Sequence, residues 1–173
     1  MTLYRRHLLL LLGLAAAAAR AQAPAPAAHP LDPIAHWVGG EWVGEFDAPG
    51  GGTFKVIRDY HWSFDRRVLV GRSWAESKGE RRQTRETHFY WNPEARRIEF
   101  IDHLDQAGGQ GLGTVELREG QIFMNVRVVG NPRHPSWRGW LTEKGDEQEI
   151  RVEALRDTTW GPMGTYRYRR VRP

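Results

Sequence analysis

Hydrophobic and polar residues alternate with a period of two along most of the chain after residue 40, which is the pattern of β-strands with one buried face. The alternation is clearest in two consecutive runs, 54–64 and 68–74, and the apolar face of each run includes one arginine. If the apolar faces form the core, Arg58 and Arg72 both point into it. The sequence therefore predicts two inward-facing arginines on neighbouring strands.

Further alternating runs follow at the spacing of an all-β barrel or sandwich, separated by turn residues such as Lys78-Gly79. Before the first strand, Asp32-Pro33 predicts a short helix with an aspartate N-cap. Because the connections are short and closure removes exposed edges, we predict an up-and-down antiparallel barrel of about ten strands with a short N-terminal helix. The later strands are predicted near 84–91, 97–104, 111–118, 121–129, 136–143, 148–155 and 164–171, with a turn at Gly161-Pro162.

The first 21 residues have the pattern of an export signal, with a charged start, an apolar run and an A-x-A cleavage site. This pattern favours Sec export, and the Arg5-Arg6 pair leaves twin-arginine export as the alternative. Residues 22–30, rich in Ala and Pro, predict a disordered spacer, so the barrel domain is expected to be 31–173. We expect a periplasmic or secreted protein without a membrane span in its mature form.

Loss of the signal would remove three of the 25 basic residues and none of the 21 acidic ones, so the net charge would fall from +4 to +1. Nearly equal numbers of basic and acidic residues argue against nucleic-acid binding. The chain contains no cysteine, which excludes disulfides and thiolate chemistry. The oligomeric state is not determined by these features.

The segment Gly40-Glu41-Trp42-Val43-Gly44 resembles the G-x-W start of lipocalin-like (calycin) barrels, where a short helix precedes the first strand. With the later run 86–93, ETHFYWNP, the chain looks most similar to nitrobindin-like barrels and to secreted bacterial lipocalin-like domains. This resemblance implies a barrel with a small-molecule site inside. The nitrobindin-like proteins hold haem through a histidine near the C-terminus, and no histidine follows His134 here. We therefore expect no haem and no other cofactor.

An arginine inside an apolar barrel is costly unless it is paired, and its planar fork suits a carboxylate or phosphate. Arg58 and Arg72 are thus candidates to hold the acidic end of an amphiphilic ligand, with Trp62 and Trp74 beside them. The structural alternative is an internal ion pair with Glu86 or Asp102, or an arginine covering Trp42.

Glu86, His88 and Tyr90 share one face of a predicted strand and could form an acid–base or ligand-orienting cluster if that face is inward. The opposite face is more apolar, so a solvated cluster is the alternative. His103 is a further candidate, but no metal-binding spacing of histidines is present, and we predict no metal site. The candidate ligand-binding residues are Arg58, Trp62, Arg72, Trp74, Glu86, His88 and His103.

These features favour an exported protein that binds a small apolar or amphiphilic acid inside the barrel. One alternative is an isomerase, lyase or cyclase on the same scaffold, using Glu86 with His88 or His103 as acid–base groups. The other is a structural or envelope-interaction protein whose barrel is filled by its own side chains.

Overall fold

Ten antiparallel strands form a closed barrel in the computed structural model, which describes residues 28–48, 51–104, 108–131 and 134–171. One short helix, α1 (Asp32–Ala35), precedes the strands. Each strand pairs with its neighbours along the chain, and the first strand pairs with the last. The predicted all-β, up-and-down barrel is confirmed. The strands are β1 (Glu41–Asp47), β2 (Thr53–Ser63), β3 (Val68–Ser77), β4 (Glu80–Asn92), β5 (Arg97–Leu104), β6 (Gln110–Arg118), β7 (Gln121–Val129), β8 (Trp137–Lys144), β9 (Glu147–Arg156) and β10 (Thr159–Val171).

The start of α1 differs from the prediction. Leu31 occupies the N-cap position, and Asp32 is the first helical residue. The Asp32 carboxylate instead accepts a hydrogen bond of 2.8 Å from the backbone N–H of His29, which fixes the turn before the helix. The predicted signal peptide, 1–21, lies outside the described residues, as does 22–27 of the predicted spacer.

The predicted turn at Gly161-Pro162 is wrong, because both residues lie within β10. The register with β9 shifts between Pro162 and Gly164, so the proline is accommodated at a β-bulge rather than at the end of the strand. The turn between the two strands lies at 157–158, where Asp157 has a φ of 55°.

The register determines which side chains point into the barrel, because residues directly opposite one another in an antiparallel pair share a face. Trp42 is fully buried in the core, and its partner in β2 is Arg58. Arg58 pairs with Ser73 in β3, which in turn pairs with Arg85 in β4. The inner face of β3 therefore consists of Leu69, Gly71, Ser73 and Ala75.

The predicted inward orientation of Arg72 and Trp74 is thus wrong, and both side chains point away from the interior. The physical reason is crowding. A Cβ on Gly71 would lie 2.8 Å from the Tyr60 ring, so this part of the inner wall accepts only small residues. On the outer face, Val70 is only 7% exposed because neighbouring side chains cover it. The more apolar face of this strand is therefore its outer face.

The N-terminal segment closes one end of the barrel, which we call the helix end. Leu31, Ile34 and Trp37 are buried there and belong to the same core as Trp42. The indole N–H of Trp42 donates to the backbone oxygen of Trp37 at 3.1 Å, and the indole N–H of Trp37 donates to Glu143 at 3.0 Å. These contacts tie the segment before β1 to the barrel wall. The hairpins β2–β3, β4–β5, β6–β7 and β8–β9 turn at this end.

Candidate functional site

The opposite end of the barrel, which we call the open end, is lined by partly exposed apolar side chains. Phe46, Val56, Trp137 and Tyr166 pack against the core but are not fully covered. Gly161 shares this inner wall, since it pairs with Ala154, which pairs with Trp137. A Cβ added to Gly161 would have no atom within 4 Å. At this position the inner wall therefore faces open space.

Arg58 lies below this space, on the inner face of β2. Its guanidinium stacks over the ring of Tyr168, 3.9 Å from the ring centroid. Among the described residues, no carboxylate oxygen lies within 4.0 Å of a guanidinium nitrogen of Arg58, the distance that defines an ion pair. Burial lowers the pKa of Arg58, but interactions with Tyr168, Tyr60 and Asp102 outweigh it and the net shift is upward. The arginine is charged, deep in the barrel and without an anionic partner in contact.

Tyr60 is the second polar group of this interior cluster. Burial raises the pKa of its hydroxyl, and the adjacent Arg58 opposes that rise without cancelling it. Tyr60 is therefore protonated at neutral pH and carries no charge that could compensate Arg58. Its hydroxyl remains a hydrogen-bond donor inside the barrel.

Asp102 supplies the negative charge of the cluster and is only 1% exposed. Its register partner Thr87 donates a hydrogen bond of 2.7 Å to one carboxylate oxygen. The Nε of Arg85 lies 3.4 Å from the other oxygen. Asp102 is thus paired with Arg85. The cluster contains this one carboxylate and two guanidinium groups, those of Arg58 and Arg85. The cluster keeps an excess of one positive charge.

The two tryptophans predicted to stand beside the arginines lie away from the open end. Trp62 is on the inner face but at the helix end, in edge-to-face contact with His29 at 5.9 Å and beneath Arg66 at 4.9 Å. Trp74 is on the outer wall, where the guanidinium of Arg81 covers its ring at 4.4 Å. Of the seven candidate ligand-binding residues, Arg58 alone belongs to the interior charged cluster; Asp102, named as a partner in the structural alternative, also belongs to it.

The other predicted site residues meet on the outer wall. Arg72 donates to Glu86 at 3.1 Å, His88 lies 2.9 Å from the same carboxylate, and the rings of His88 and His103 are 5.5 Å apart. The hydrogen bond with His88 is the main cause of a lowered pKa of Glu86, and Arg72 adds to it against the opposing effect of burial. Arg72 therefore pairs with Glu86, one of the partners that the structural alternative named, but on the outer wall and not inside the barrel. An acid–base reaction at this cluster would take place outside the barrel.

Sequence reasoning missed Arg85, although a signal was present. Thr87, Phe89 and Trp91 form the more apolar face of their strand, and Arg85 continues that alternation by one step. The structure places Thr87 and Phe89 in the interior, with Arg85 on the same face. Following the apolar face of β4 back along the strand would have identified the second interior arginine.

A separate groove with a volume of about 580 Å³ crosses the outer wall over β8, β9, β10 and β1. Arg167 and Glu149, which line it, bond to each other at 2.8 Å. None of the residues predicted as a ligand site lines this groove. The second arginine that lines the groove, Arg169, lies 3.9 Å from Glu147, so both arginines of the groove have a carboxylate partner, in contrast to Arg58.

Comparison with known proteins gives no assignment, since no protein-family model and no curated protein sequence matches the chain. Within the described ranges, no three His, Cys, Asp or Glu side chains are grouped so as to hold a metal ion. Nor does any helix in that part of the chain have the length and hydropathy to cross a membrane. Function must therefore be inferred from the interior geometry.

Proposed function

We propose that this protein is an exported, lipocalin-like barrel that binds a small amphiphilic acid at its open end. The acid group lies against Arg58 and Arg85, and the apolar part lies against Phe46, Val56 and Trp137. The predicted signal supports export, and the charged cluster below an apolar rim supports ligand binding.

The observation that carries the proposal is the uncompensated charge of Arg58. Burying a guanidinium without an anionic partner is costly, and Asp102 is already engaged by Arg85 and Thr87. A ligand carboxylate that reaches Arg58 would neutralise the excess positive charge of the cluster and accept charge-assisted hydrogen bonds from its guanidinium. A planar carboxylate also matches the fork of a guanidinium, which can donate two parallel hydrogen bonds.

The apolar rim provides the second half of the site. Phe46, Val56 and Trp137 are partly exposed at the open end. Covering such side chains with a hydrocarbon or aromatic group contributes about 25 cal/mol per Å² of buried apolar surface. Small-molecule sites commonly combine a mostly apolar wall with a few fixed polar groups, and the open end has both.

A lipocalin-like relationship is supported at the helix end. Trp42, from the G-x-W segment, is fully buried, and the guanidinium of Arg170 covers its ring at 4.3 Å. An arginine over this tryptophan is a common arrangement in calycins. The closed antiparallel barrel and the short helix before β1 agree with the same relationship.

A filled, structural barrel is the second candidate, and a specific packing feature favours it. The rings of Phe46, Tyr60 and Phe100 pack directly over glycines on the inner face. A Cβ added to any of these glycines would lie only 2.3 to 2.8 Å from the nearest ring atom. Aromatic rings therefore fill a large part of the barrel interior. The two candidates differ in whether the space at the open end takes a ligand.

The test is binding of a panel of long-chain and aromatic acids, with the matching alcohols, to the protein and to two variants. Arg58→Met keeps the volume and removes the charge, whereas Arg72→Met removes an outer arginine as the matched control. We expect Arg58→Met to weaken acids more than alcohols by about 1.5–3 kcal/mol, the contribution of a charged hydrogen bond. Arg72→Met should change neither the affinity for the acids nor the affinity for the alcohols. Equal losses for acid and alcohol, or no binding of any panel member by calorimetry, would support the filled barrel instead.

A further inference from the structure

The register determines where the buried carboxylate of Asp102 lies relative to the two interior arginines. Arg58, Ser73 and Arg85 are directly opposite one another on β2, β3 and β4, so they form one row across the inner wall, which we call the arginine row. The next row toward the helix end consists of Tyr60, Gly71, Thr87 and Asp102. A molecule that enters from the open end therefore meets the arginine row first, and Asp102 lies one row behind it.

Small side chains separate the two guanidinium groups of the arginine row. The strand between them, β3, carries Ser73 in the row itself and Gly71 in the row behind it. With about 4.8 Å between neighbouring strands, the backbones of β2 and β4 are about 10 Å apart. Burial raises the pKa of the Tyr60 hydroxyl, and the charges of Arg58 and Arg85 both oppose that rise, so the two guanidinium groups act on one region of the interior. A compact anionic group has room between them.

The carboxylate of Asp102 is held in place by its neighbours. Thr87 donates to one of its oxygens at 2.7 Å, and Nε of Arg85 lies 3.4 Å from the other. On the side of β6, a Cβ added to Gly111 would lie 3.0 Å from Cβ of Asp102, so the backbone of that strand packs against the aspartate. The structure therefore fixes a negative charge one row behind the arginines.

The arginine row and Asp102 together carry one positive charge. The other charged residues on the inner faces of the described strands lie at the two ends of the barrel and are Glu80, Arg82, Glu143, Arg156 and Arg170. Arg170 lies 3.6 Å from Asp146 and Glu143 accepts a hydrogen bond from Gln148 at 2.6 Å, both at the helix end. The three at the open end are exposed, and water screens their charges. A head group between Arg58 and Arg85 therefore meets a single excess positive charge.

We propose that Asp102 is a specificity-determining residue, which restricts the site to amphiphiles whose head group carries one negative charge. This inference rests on the proposed function, because it concerns the same site. A carboxylate or a sulfate ester neutralises the excess charge of the cluster. A phosphate monoester, with about two negative charges above neutral pH, leaves one charge uncompensated in front of Asp102. Charges repel more strongly where water is excluded than in bulk water, so the second charge weakens binding.

Octyl sulfate and octyl phosphate test this selectivity, because they share a tail and a tetrahedral head group and differ by one charge at about pH 8. Calorimetry measures their binding to the full chain at concentrations below micelle formation. We expect the wild-type protein to bind octyl sulfate about tenfold more tightly than octyl phosphate. Asp102→Asn adds one positive charge to the cluster. Both ligands should then bind more tightly, and octyl phosphate should gain about tenfold more than octyl sulfate.

Two further variants separate the charge of the cluster from the charge of the whole chain. Glu86→Gln is the matched control, because it removes a carboxylate from the outer face of β4 and should leave the ratio of the two affinities unchanged. Arg85→Met/Asp102→Asn removes both members of the ion pair and leaves Arg58 alone. The cluster then carries one positive charge again, so both ligands should bind more weakly than to Asp102→Asn and the preference for octyl sulfate should return.

The outcomes distinguish failure of this inference from failure of the proposed function. Equal or tighter binding of octyl phosphate by the wild-type protein would overturn the role of Asp102, and this comparison does not require any variant to fold. An unchanged ratio in a folded Asp102→Asn variant would overturn it as well. In either case, weaker binding of octyl sulfate to Arg58→Met would still support the acid site. If neither ligand binds to the wild-type protein, the acid site and the selectivity are both wrong.

Discussion

Arg85 and Asp102 form an ion pair inside the barrel, with Nε of Arg85 3.4 Å from Oδ2 of Asp102. The two ends of the pair differ in their environment, because the Asp102 side chain is 2% exposed and the Arg85 side chain 35%. Asp102 also raises the pKa of Arg58, which it does not contact within ion-pair distance. One buried carboxylate therefore pairs with one arginine and leaves the second, Arg58, without a carboxylate in ion-pair contact.

Asp102→Asn should destabilise the protein by about 1–3 kcal/mol, since it weakens the contact with Arg85 and leaves two guanidinium groups without a negative charge. The solvent-exposed part of Arg85 keeps the loss below that of a fully buried pair. A double-mutant cycle with Arg85→Met, followed by urea unfolding, measures the coupling. We expect a coupling free energy of about 1 kcal/mol between the two substitutions. If a ligand acid binds as proposed, Asp102→Asn should also strengthen its binding. Independent effects of the two substitutions would mean that the ion pair contributes nothing.

Trp42→Ala should cost about 3–5 kcal/mol, a large part of the roughly 5–15 kcal/mol expected for a domain. Trp42 is fully buried, bonded to the backbone of Trp37 and covered by Arg170, so its removal leaves a cavity where α1 meets the wall. Thermal and urea unfolding measure the loss. The control is Trp91→Ala, at a site 36% exposed, which should cost much less. Similar losses in the two variants would contradict the role given to Trp42.

Two glycines on the inner face should differ in how strongly an alanine destabilises the protein. A Cβ on Gly113 would lie 2.3 Å from the Phe100 ring, so Gly113→Ala should destabilise by about 1–3 kcal/mol through overpacking. Gly161 has no neighbour within 4 Å of a Cβ, so Gly161→Ala should leave the melting temperature nearly unchanged. Gly161→Leu should then occupy the open end and weaken binding of the acids without unfolding the barrel. A stability loss in Gly161→Ala as large as that in Gly113→Ala would show that this end is filled.

The outer cluster should contribute stability that depends on pH. Glu86 has a pKa below its ordinary value of 4.5, mainly because of the hydrogen bond with His88 and then because of Arg72. Its contribution is therefore complete above the ordinary value and is lost as the pH falls through the lower, folded-state pKa. Glu86→Gln should lower the free energy of unfolding near neutral pH by up to about 1 kcal/mol, and the difference should vanish in acid. The control Glu80→Gln, at an exposed site, should show no such difference. A pH-independent effect of Glu86→Gln would contradict this account.

The period of two along the sequence and the short turns determined the strand content and the up-and-down order of about ten strands, because alternation and short turns are local properties of the chain. Closure of the barrel depends on the pairing of β1 with β10. The burial of Trp42 and the inward orientation of Arg58 were also predictable, since both stand on the apolar face of their strand. For these residues the local pattern and the global fold agree.

The inner face of β3 was decided only by the tertiary structure. Val70 and Trp74 made one face of this strand the more apolar, yet the register with β2 turned that face outward. The cause is the space taken by the Tyr60 ring, which leaves room for Gly71 but not for a larger side chain. The same register moved Arg72 to the outer wall and brought Arg85 into the interior. For β3, contacts between strands decided which face turned inward, and the alternation within that strand pointed the other way.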